Sequence, residues 1–361
     1  MTLVSEFNSR RAGVAARFEE HGIEALLVSA LPNVRYLSGF TGSNAALLIL
    51  RGSATLFTDP RYTLQASAES DCPVVIAKGS LQAAAMKLIR RKRLRRVGVE
   101  KNRILLSSWL DLNEAAPPTL KLVPVPAFIE QARMVKSPDE IDRIRQSVDT
   151  NSKAYAKVLT RLKPTATEKD IAAEIEFQQR RFGAEGPAFE SIVAAGPRSA
   201  LPHARPSSER IGTNRLLLMD TGALQSGYCS DMTRVVHLGS PGSKAKKLYR
   251  AVLEAQLAAI SVVRPGITAG AIDRAARGVL EKYGFGDAFL HSTGHGLGLE
   301  IHEMPRIGLK DKTRLEAGMV ITIEPGAYLD GFGGVRVEDT VLVTSNGCEI
   351  LTPTSKEFVV V

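Results

Sequence analysis

Two pairs of carboxylates sit where apolar strands turn back on themselves, and this feature constrains the 361-residue chain more than any other. Asp220 closes the run Leu216-Leu217-Leu218-Met219, and Asp231 follows eleven residues later in the strand-like stretch Tyr228–Leu238. If Gly222–Gly227 forms the loop of a hairpin, its centre falls between Gln225 and Ser226 and the two aspartates face each other. Directly opposed side chains have Cβ atoms about 4.5–5.5 Å apart, where like charges repel. A cation between them removes the conflict. The construction recurs with Glu324, which closes Val320–Ile323, and Glu338, set in Val335-Arg336-Val337. Their midpoint is Gly331, half a residue from the centre of the hairpin dipeptide Asp330-Gly331, so a bulge or longer loop is expected and the facing is approximate. One such pair reads most simply as turn-flanking residues that stay wet. Two pairs embedded in apolar strands point instead to a shared metal site.

His295 adds a nitrogen ligand. It lies in Gly294-His295-Gly296-Leu297-Gly298, where glycines allow close backbone approach to a ligand; by itself it reads as a loop histidine. Asp220, Asp231, His295, Glu324 and Glu338 form a mostly hard donor set, suited to two manganese-like ions or to cobalt, zinc or iron, and unsuited to copper(I) or Fe–S clusters. Two-metal sites hold their ions about 3.5–4 Å apart, lower the pKa of a shared water and polarise the attacked oxygen, which is hydrolytic chemistry. Asp231 and Glu338, each in the second strand of its hairpin, are the expected bridging ligands.

Residues 1–130 alternate short apolar strands (Ala25–Ser29, Ala45–Leu50, Thr55–Thr58, Val74–Ala77, Val97–Val99) with helical stretches, the pattern of an α/β domain. Arg51-Gly52 marks a hairpin turn, and the proline-containing stretch Leu120–Ile129 places a boundary at 130/131. In residues 131–361, Ser137-Pro138-Asp139-Glu140 predicts a capped helix start, and Thr165 or Thr167 starts another that stops at Gly183. Helices are also expected near 244–263 and 269–283, with strands at Arg215–Thr221, Tyr228–Leu238, Val320–Glu324 and Val335–Val343, giving an α+β second domain.

The net charge of +9 is concentrated: residues 1–130 carry 17 basic and 11 acidic side chains, and Lys87, Arg90, Arg91, Lys92, Arg93, Arg95 and Arg96 supply the excess. They end an apolar-periodic helix, where cations favour the C-terminal dipole, and no aromatic residues interleave them, so a solvated helix end is expected and not a nucleic-acid surface. Cys72, Cys229 and Cys348 are odd in number and widely spaced, which suits a reducing compartment. The N-terminal stretch lacks an apolar core and the longest apolar run, Ala45–Leu50, is too short to span a bilayer; a cytoplasmic protein without membrane association is expected.

The blocks LMDTGA (218–223), SDMTR (230–234), HSTGHGLGLEIHE (291–303), IEPG (323–326) and GVRVEDT (334–340) resemble those of the pita-bread metallopeptidases, the family of prolidase, aminopeptidase P and methionine aminopeptidase. The likeness covers about residues 135–350. It implies a pita-bread catalytic domain behind a creatinase-like N-terminal domain, and two metal ions per subunit: one on Asp231, His295, Glu324 and Glu338, the other on Asp220, Asp231 and Glu338. Asn33–Ser43 and Thr58–Tyr62 are similar to small bacterial Xaa-Pro aminopeptidases. The resemblance further implies that His203, His291 and Arg336 bind substrate, although Arg336 also suits a plain charge partner of a neighbouring carboxylate. It implies that His203 or His302 stabilises the oxyanion while Glu324 exchanges the proton, as a metal-bridging hydroxide attacks the bond before proline. Expected is therefore an Xaa-Pro aminopeptidase acting on proline-containing peptides, with prolidase as the nearest alternative and a non-enzymatic pita-bread binding module as a remoter one. Relatives of this kind imply a homodimer.

Overall fold

Residues 5–361 are described by the computed structural model, and the chain divides after Arg133 into two units. The first unit contains α1 (Glu6–Ala16), β1 (Ala25–Val28), α2 (Leu31–Ser38), β2 (Ala45–Leu50), β3 (Ser53–Thr58), α3 (Thr63–Glu69), β4 (Val74–Ile76), α4 (Leu81–Arg91), β5 (Arg96–Glu100), α5 (Leu106–Ala115) and β6 (Lys121–Val125). Its strands form one mixed sheet in the order β4-β3-β2-β1-β5-β6. The turn expected at Arg51-Gly52 joins β2 to β3, with Leu50 opposite Ser53 and Gly52 at a left-handed φ of 76°. Helix α2 has no capping side chain of its own, and Glu100 from β5 supplies one: its carboxylate accepts from the Ser29 and Ala30 amides at 2.6 and 2.9 Å. Burial pushes that carboxyl above its ordinary pKa. The boundary placed at 130/131 falls inside α6 (Phe128–Met134).

The second unit opens with α7 (Pro138–Leu159) and α8 (Glu168–Arg181). Both begin with reciprocal capping boxes, Ser137 with Glu140 and Thr167 with Asp170. Strands β7 (Gly186–Pro187), β8 (Ile192–Ala195), β9 (Arg215–Thr221), β10 (Ala223–Gln225), β11 (Tyr228–Cys229) and β12 (Met232–Leu238) follow, then α9 (Ser243–Ser261) and α10 (Ala269–Lys282). The chain continues through β13 (Gly294–Gly296), β14 (Glu303–Ile307), β15 (Val320–Ile323), β16 (Gly326–Leu329), β17 (Gly333–Arg336), β18 (Asp339–Val343) and β19 (Cys348–Ile350). The expected helices and strands are present, although Tyr228–Leu238 and Val335–Val343 are each broken into two.

Strand β9 is buried on both faces, which explains its unbroken apolar run. Leu216 and Leu218 join a core with α9, α10 and the strands of the second hairpin, whereas Leu217 and Met219 join a separate core with α7 and α8. Burying each such side chain contributes about 1.5–3 kcal/mol. Period-two alternation then carries Asp220 onto the face of Leu216 and Leu218, toward the second hairpin. Among the described residues no helix is long and apolar enough to cross a membrane, and all three cysteines are free.

Candidate metal centre

The first hairpin turns one residue later than its spacing suggested. Gln225 pairs with Tyr228 around a two-residue loop, and Ser226 and Gly227 both take positive φ, 51° and 76°. Those signs at both central positions are the type I′ geometry that matches strand twist. Asp220 consequently lies opposite Thr233, not opposite Asp231. Moving the centre by one residue moves the pairing by two, which preserves the face and makes the aspartates diagonal neighbours. Asp231 itself occupies the break between β11 and β12. Here the strands pinch together: a Cβ on Gly222 would fall 2.2 Å from Ser230 O.

The second hairpin keeps the expected centre. Ile323 pairs with Asp339 and Gly326 with Arg336, so Glu324 and Glu338 share one register across a gap in the ladder. Their amides leave the hairpin there: Glu324 N–H donates to Thr293 O at 2.7 Å and Glu338 N–H to Thr233 O at 3.2 Å. A three-residue loop, Asp330–Phe332, closes the far end, with Gly331 at φ 69°. His295 lies on β13 and not in a loop. Its flanking glycines serve neighbouring strands: a Cβ on Gly294 would meet Thr322 O at 2.0 Å, and one on Gly296 would meet Met304 O at 2.3 Å.

These elements bring all five expected ligands together. Asp220, Asp231 and Glu338 are buried, and each offers an oxygen within 4.8 Å of the others. His295 Nε2 stands 3.6 Å from Asp231 Oδ2 and 3.4 Å from Glu324 Oε1. Asp231 therefore belongs to both groups. Asp220 Oδ1 and Glu338 Oε1 are buried without a hydrogen-bond partner among the described residues. His295 Nδ1 lies 2.9 Å from Gly296 O and must carry the proton, so the Nε2 lone pair points at carboxylates. Burial holds that imidazole below its ordinary pKa. Burial and mutual repulsion raise Asp231 and Glu338 well above the carboxylate range, and burial lifts Glu324 to about 7 despite Arg336. Converging lone pairs, orphaned oxygens and carboxylates that hold protons are what a hard divalent cation would relieve, so the residues fit such ions.

Arg336 is buried and committed to the protein. It donates to Asp220 Oδ2 at 2.6 Å, Tyr328 Oη at 2.7 Å, Thr233 Oγ1 at 2.9 Å and Pro202 O at 3.1 Å. The charge-partner reading describes its placement better than the substrate contact expected of it. Thr233 Oγ1 in turn donates to Glu338 Oε2 at 2.6 Å. Tyr328 donates to His291 Nε2 at 2.8 Å, because His291 Nδ1 donates to Ser292 O at 2.8 Å. Burial and Arg336 hold His291 down to about 4. His302 is exposed and sets its ring edge against His295, centroids 4.4 Å apart. His203 is also exposed, beside the Pro202 carbonyl that Arg336 holds, and near enough to depress His291, His302 and Glu324 electrostatically.

Three participants were missed from sequence: Thr233, Tyr328 and Arg306. Arg306 is paired with His295 across the β13–β14 ladder, so both side chains leave the same face of the sheet. It is exposed, reaches Ser292 Oγ at 3.3 Å and has no acidic partner among the described residues.

Comparison with known proteins places the chain in a family. The model of metallopeptidase family M24 matches residues 142–345, and that of the creatinase/prolidase N-terminal domain matches residues 10–135. The chain is 38% identical over 341 residues to an Xaa-Pro dipeptidase of Pyrococcus furiosus, across 94% of this chain and 96% of that protein. Among solved structures, an Xaa-Pro dipeptidase from Bacillus anthracis superposes with a TM-score of 0.96 at 35% identity, covering 98% of this chain and 100% of that one. An X-Pro aminopeptidase from Thermotoga maritima gives 0.90 at 37% identity, covering 96% and 100%. The α+β unit thus has the pita-bread fold, and the chain belongs to metallopeptidase family M24, with a creatinase/prolidase N-terminal domain preceding its catalytic unit.

Proposed function

We propose that this protein is an Xaa-Pro dipeptidase that uses two divalent ions, manganese in the first instance with cobalt, zinc or iron as alternatives. Arg306 carries the reading toward dipeptides and away from the longer peptides that the sequence put first. A guanidinium with no acidic partner among the described residues, directly across the ladder from His295, offers a charge-assisted bond to a carboxylate, and a dipeptide presents its C-terminal carboxylate one residue from the bond to be cut. The relatives that carry the name Xaa-Pro dipeptidase support the same reading.

In this reading Asp231, His295, Glu324 and Glu338 hold one ion, and Asp220, Asp231 and Glu338 the other. Bound there, the ions supply an acidified water and polarise the scissile carbonyl. The protein does the rest. Glu324 takes the proton and returns it to the leaving proline nitrogen. His203 and His302, both exposed beside the site, donate to the developing oxyanion. His291 lines the substrate side and is kept neutral, with Tyr328 fixing its tautomer. Arg336 anchors Asp220 and the backbone before His203. Because proline has no amide hydrogen, the bond before it escapes sites that grip that N–H, and a dedicated site is required.

The test is steady-state hydrolysis of Gly-Pro, Gly-Pro amide and Gly-Pro-Ala. Expected are preference for Gly-Pro and, in Arg306→Ala, a KM for Gly-Pro raised about 10–100-fold, the loss of one charged hydrogen bond of about 1.5–3 kcal/mol. Faster cleavage of Gly-Pro-Ala with no effect of Arg306→Ala would return the assignment to an aminopeptidase.

A further inference from the structure

Positive charge in the N-terminal unit gathers beside an open strand edge. From Cys72 to Val99 the chain has no aspartate or glutamate, yet it carries Lys78 and the seven cations between Lys87 and Arg96. None of these eight side chains forms an ion pair among the described residues. Strand β4 is the outermost of its sheet. Leu56 N–H donates to Pro73 O at 2.9 Å and Ala77 N–H to Thr58 O at 2.7 Å, so residues 73, 75 and 77 turn toward β3. In a parallel pair the alternate residues point the other way, which leaves the N–H and C=O groups of Val74 and Ile76 on the open side.

Between this edge and α4 runs a groove of about 660 Å³. Phe57, Val75 and Leu88 are part of its floor, and Lys78, Lys87 and Arg91 stand on its rim. The helix dipole accounts for cations in the last turn of α4, such as Arg90 and Arg91. It does not account for Lys78, which lies in the loop after β4, nor for an apolar floor on which Val75 keeps 40% of its surface exposed. A groove with apolar floor, cationic rim and unpaired backbone matches strand addition, in which main-chain bonds give affinity and side chains give selectivity.

We propose that this groove docks an extended acidic segment of a partner protein, which adds to β4 as a strand and pairs its carboxylates with Lys78, Lys87 and Arg91. A nucleic acid suits the face less well, since Phe57, the aromatic ring on the floor, is 1% exposed and presents no stacking platform. The partner is thus recognised by negative charge together with a backbone free to hydrogen-bond. This docking face is independent of the catalytic reading.

The test uses the full-length protein and a fluorescein-labelled, end-blocked decapeptide of alternating glutamate and valine, read by anisotropy. Expected is saturable binding that weakens as salt rises, falls at least tenfold in Lys87→Glu/Arg91→Glu, and is lost when the peptide backbone is N-methylated at alternate residues. The Val74 and Ile76 amides should gain protection from hydrogen exchange on binding. An unchanged circular dichroism spectrum and urea-unfolding midpoint in the charge-reversed protein verify that it is folded. Absence of binding at low salt, equal binding by the reversed protein, or equal binding of the N-methylated peptide would overturn the proposal. So would displacement by a single-stranded oligonucleotide at lower concentration than by unlabelled peptide.

Discussion

The Thr233 hydroxyl donates to Glu338 Oε2 at 2.6 Å while accepting from Arg336 Nε at 2.9 Å, so one side chain of the first hairpin orients a carboxylate and a guanidinium of the second. Thr233 also faces Asp220 across the ladder. Outer partners of this kind commonly change metal affinity 10–100-fold when removed. Thr233→Val is expected to weaken metal binding within that range, and Thr233→Ser to retain it. Calorimetric titration of metal-free protein with manganese checks this, and equal affinity in the valine variant would contradict it.

Arg336 is the cation closest to the carboxylate cluster in the absence of metal. Replacing one partner of a buried ion pair costs about 3–5 kcal/mol because the other charge stays behind. Arg336→Met should lower the urea stability of chelator-treated protein by that order. Saturating manganese should recover part of the loss, since ions then compensate Asp220. Equal losses with and without metal would show that Arg336 acts through packing alone.

The raised carboxyls set the sign of the pH dependence. Asp231 and Glu338 are held well above the carboxylate range and Glu324 near 7, so the metal-free folded protein binds more protons than the unfolded chain. Stability of the metal-free protein should therefore be greatest in mild acid and fall as pH rises through 7. His291, depressed to about 4, and His295 and His302, also held below their ordinary value, contribute with the opposite sign, but only below the unfolded histidine value of 6.5. Denaturation midpoints from pH 6.5 to 8 isolate the carboxyls. Metal binding should release protons over the same interval, read by calorimetry in buffers of different ionisation enthalpy. A flat stability profile without metal would contradict the assignment.

The carboxyl-terminal segment bears on the same site. Arg234 is buried and donates to Asp339 Oδ1 at 2.7 Å, to Thr354 O at 2.7 Å and Ser355 O at 2.9 Å, and to Glu338 O. Lys356 Nζ reaches Asp339 Oδ2 at 2.7 Å. Arg234→Met should cost about 3–5 kcal/mol, and combined with Asp339→Asn less than the sum of the two singles, because each single already removes the same Arg234–Asp339 contact. Urea unfolding of the double-mutant cycle reads the coupling. Strict additivity would mean that the pair is not energetically joined.

The convergence of Asp220, Asp231, Glu324 and Glu338 was legible because carboxylates at the ends of apolar strands are locally incongruous, and incongruity survives in a sequence. The second hairpin's centre was legible too, since Asp330-Gly331 announces its turn. The first was misplaced by one residue: Ser226 takes a left-handed conformation uncommon for serine, and Gly227 rather than the midpoint marks the tip. The error was harmless because a two-residue change in pairing keeps the face. Thr233, Tyr328 and Arg306 were not legible. Thr233 meets Glu338 over 105 residues of chain, and Arg306 meets His295 only through the β13–β14 register. Nothing local to either residue signals such partners. The glycines around His295 were read as room for a ligand, whereas β14 and β15 press against them.

Metal content and Gly-Pro hydrolysis, measured on the same preparations of wild type and Asp231→Ala, test the central claim most directly. Asp231 lies within reach of both the Asp220–Glu338 and the His295–Glu324 groups, so its loss should disturb both ions at once. Expected are two divalent ions per wild-type chain, activity abolished by chelation and restored by manganese, and an Asp231→Ala protein that is folded, depleted of metal and inactive. Wild-type protein that cleaves Gly-Pro with no bound metal, or an Asp231→Ala variant with full metal content and full activity, would contradict it.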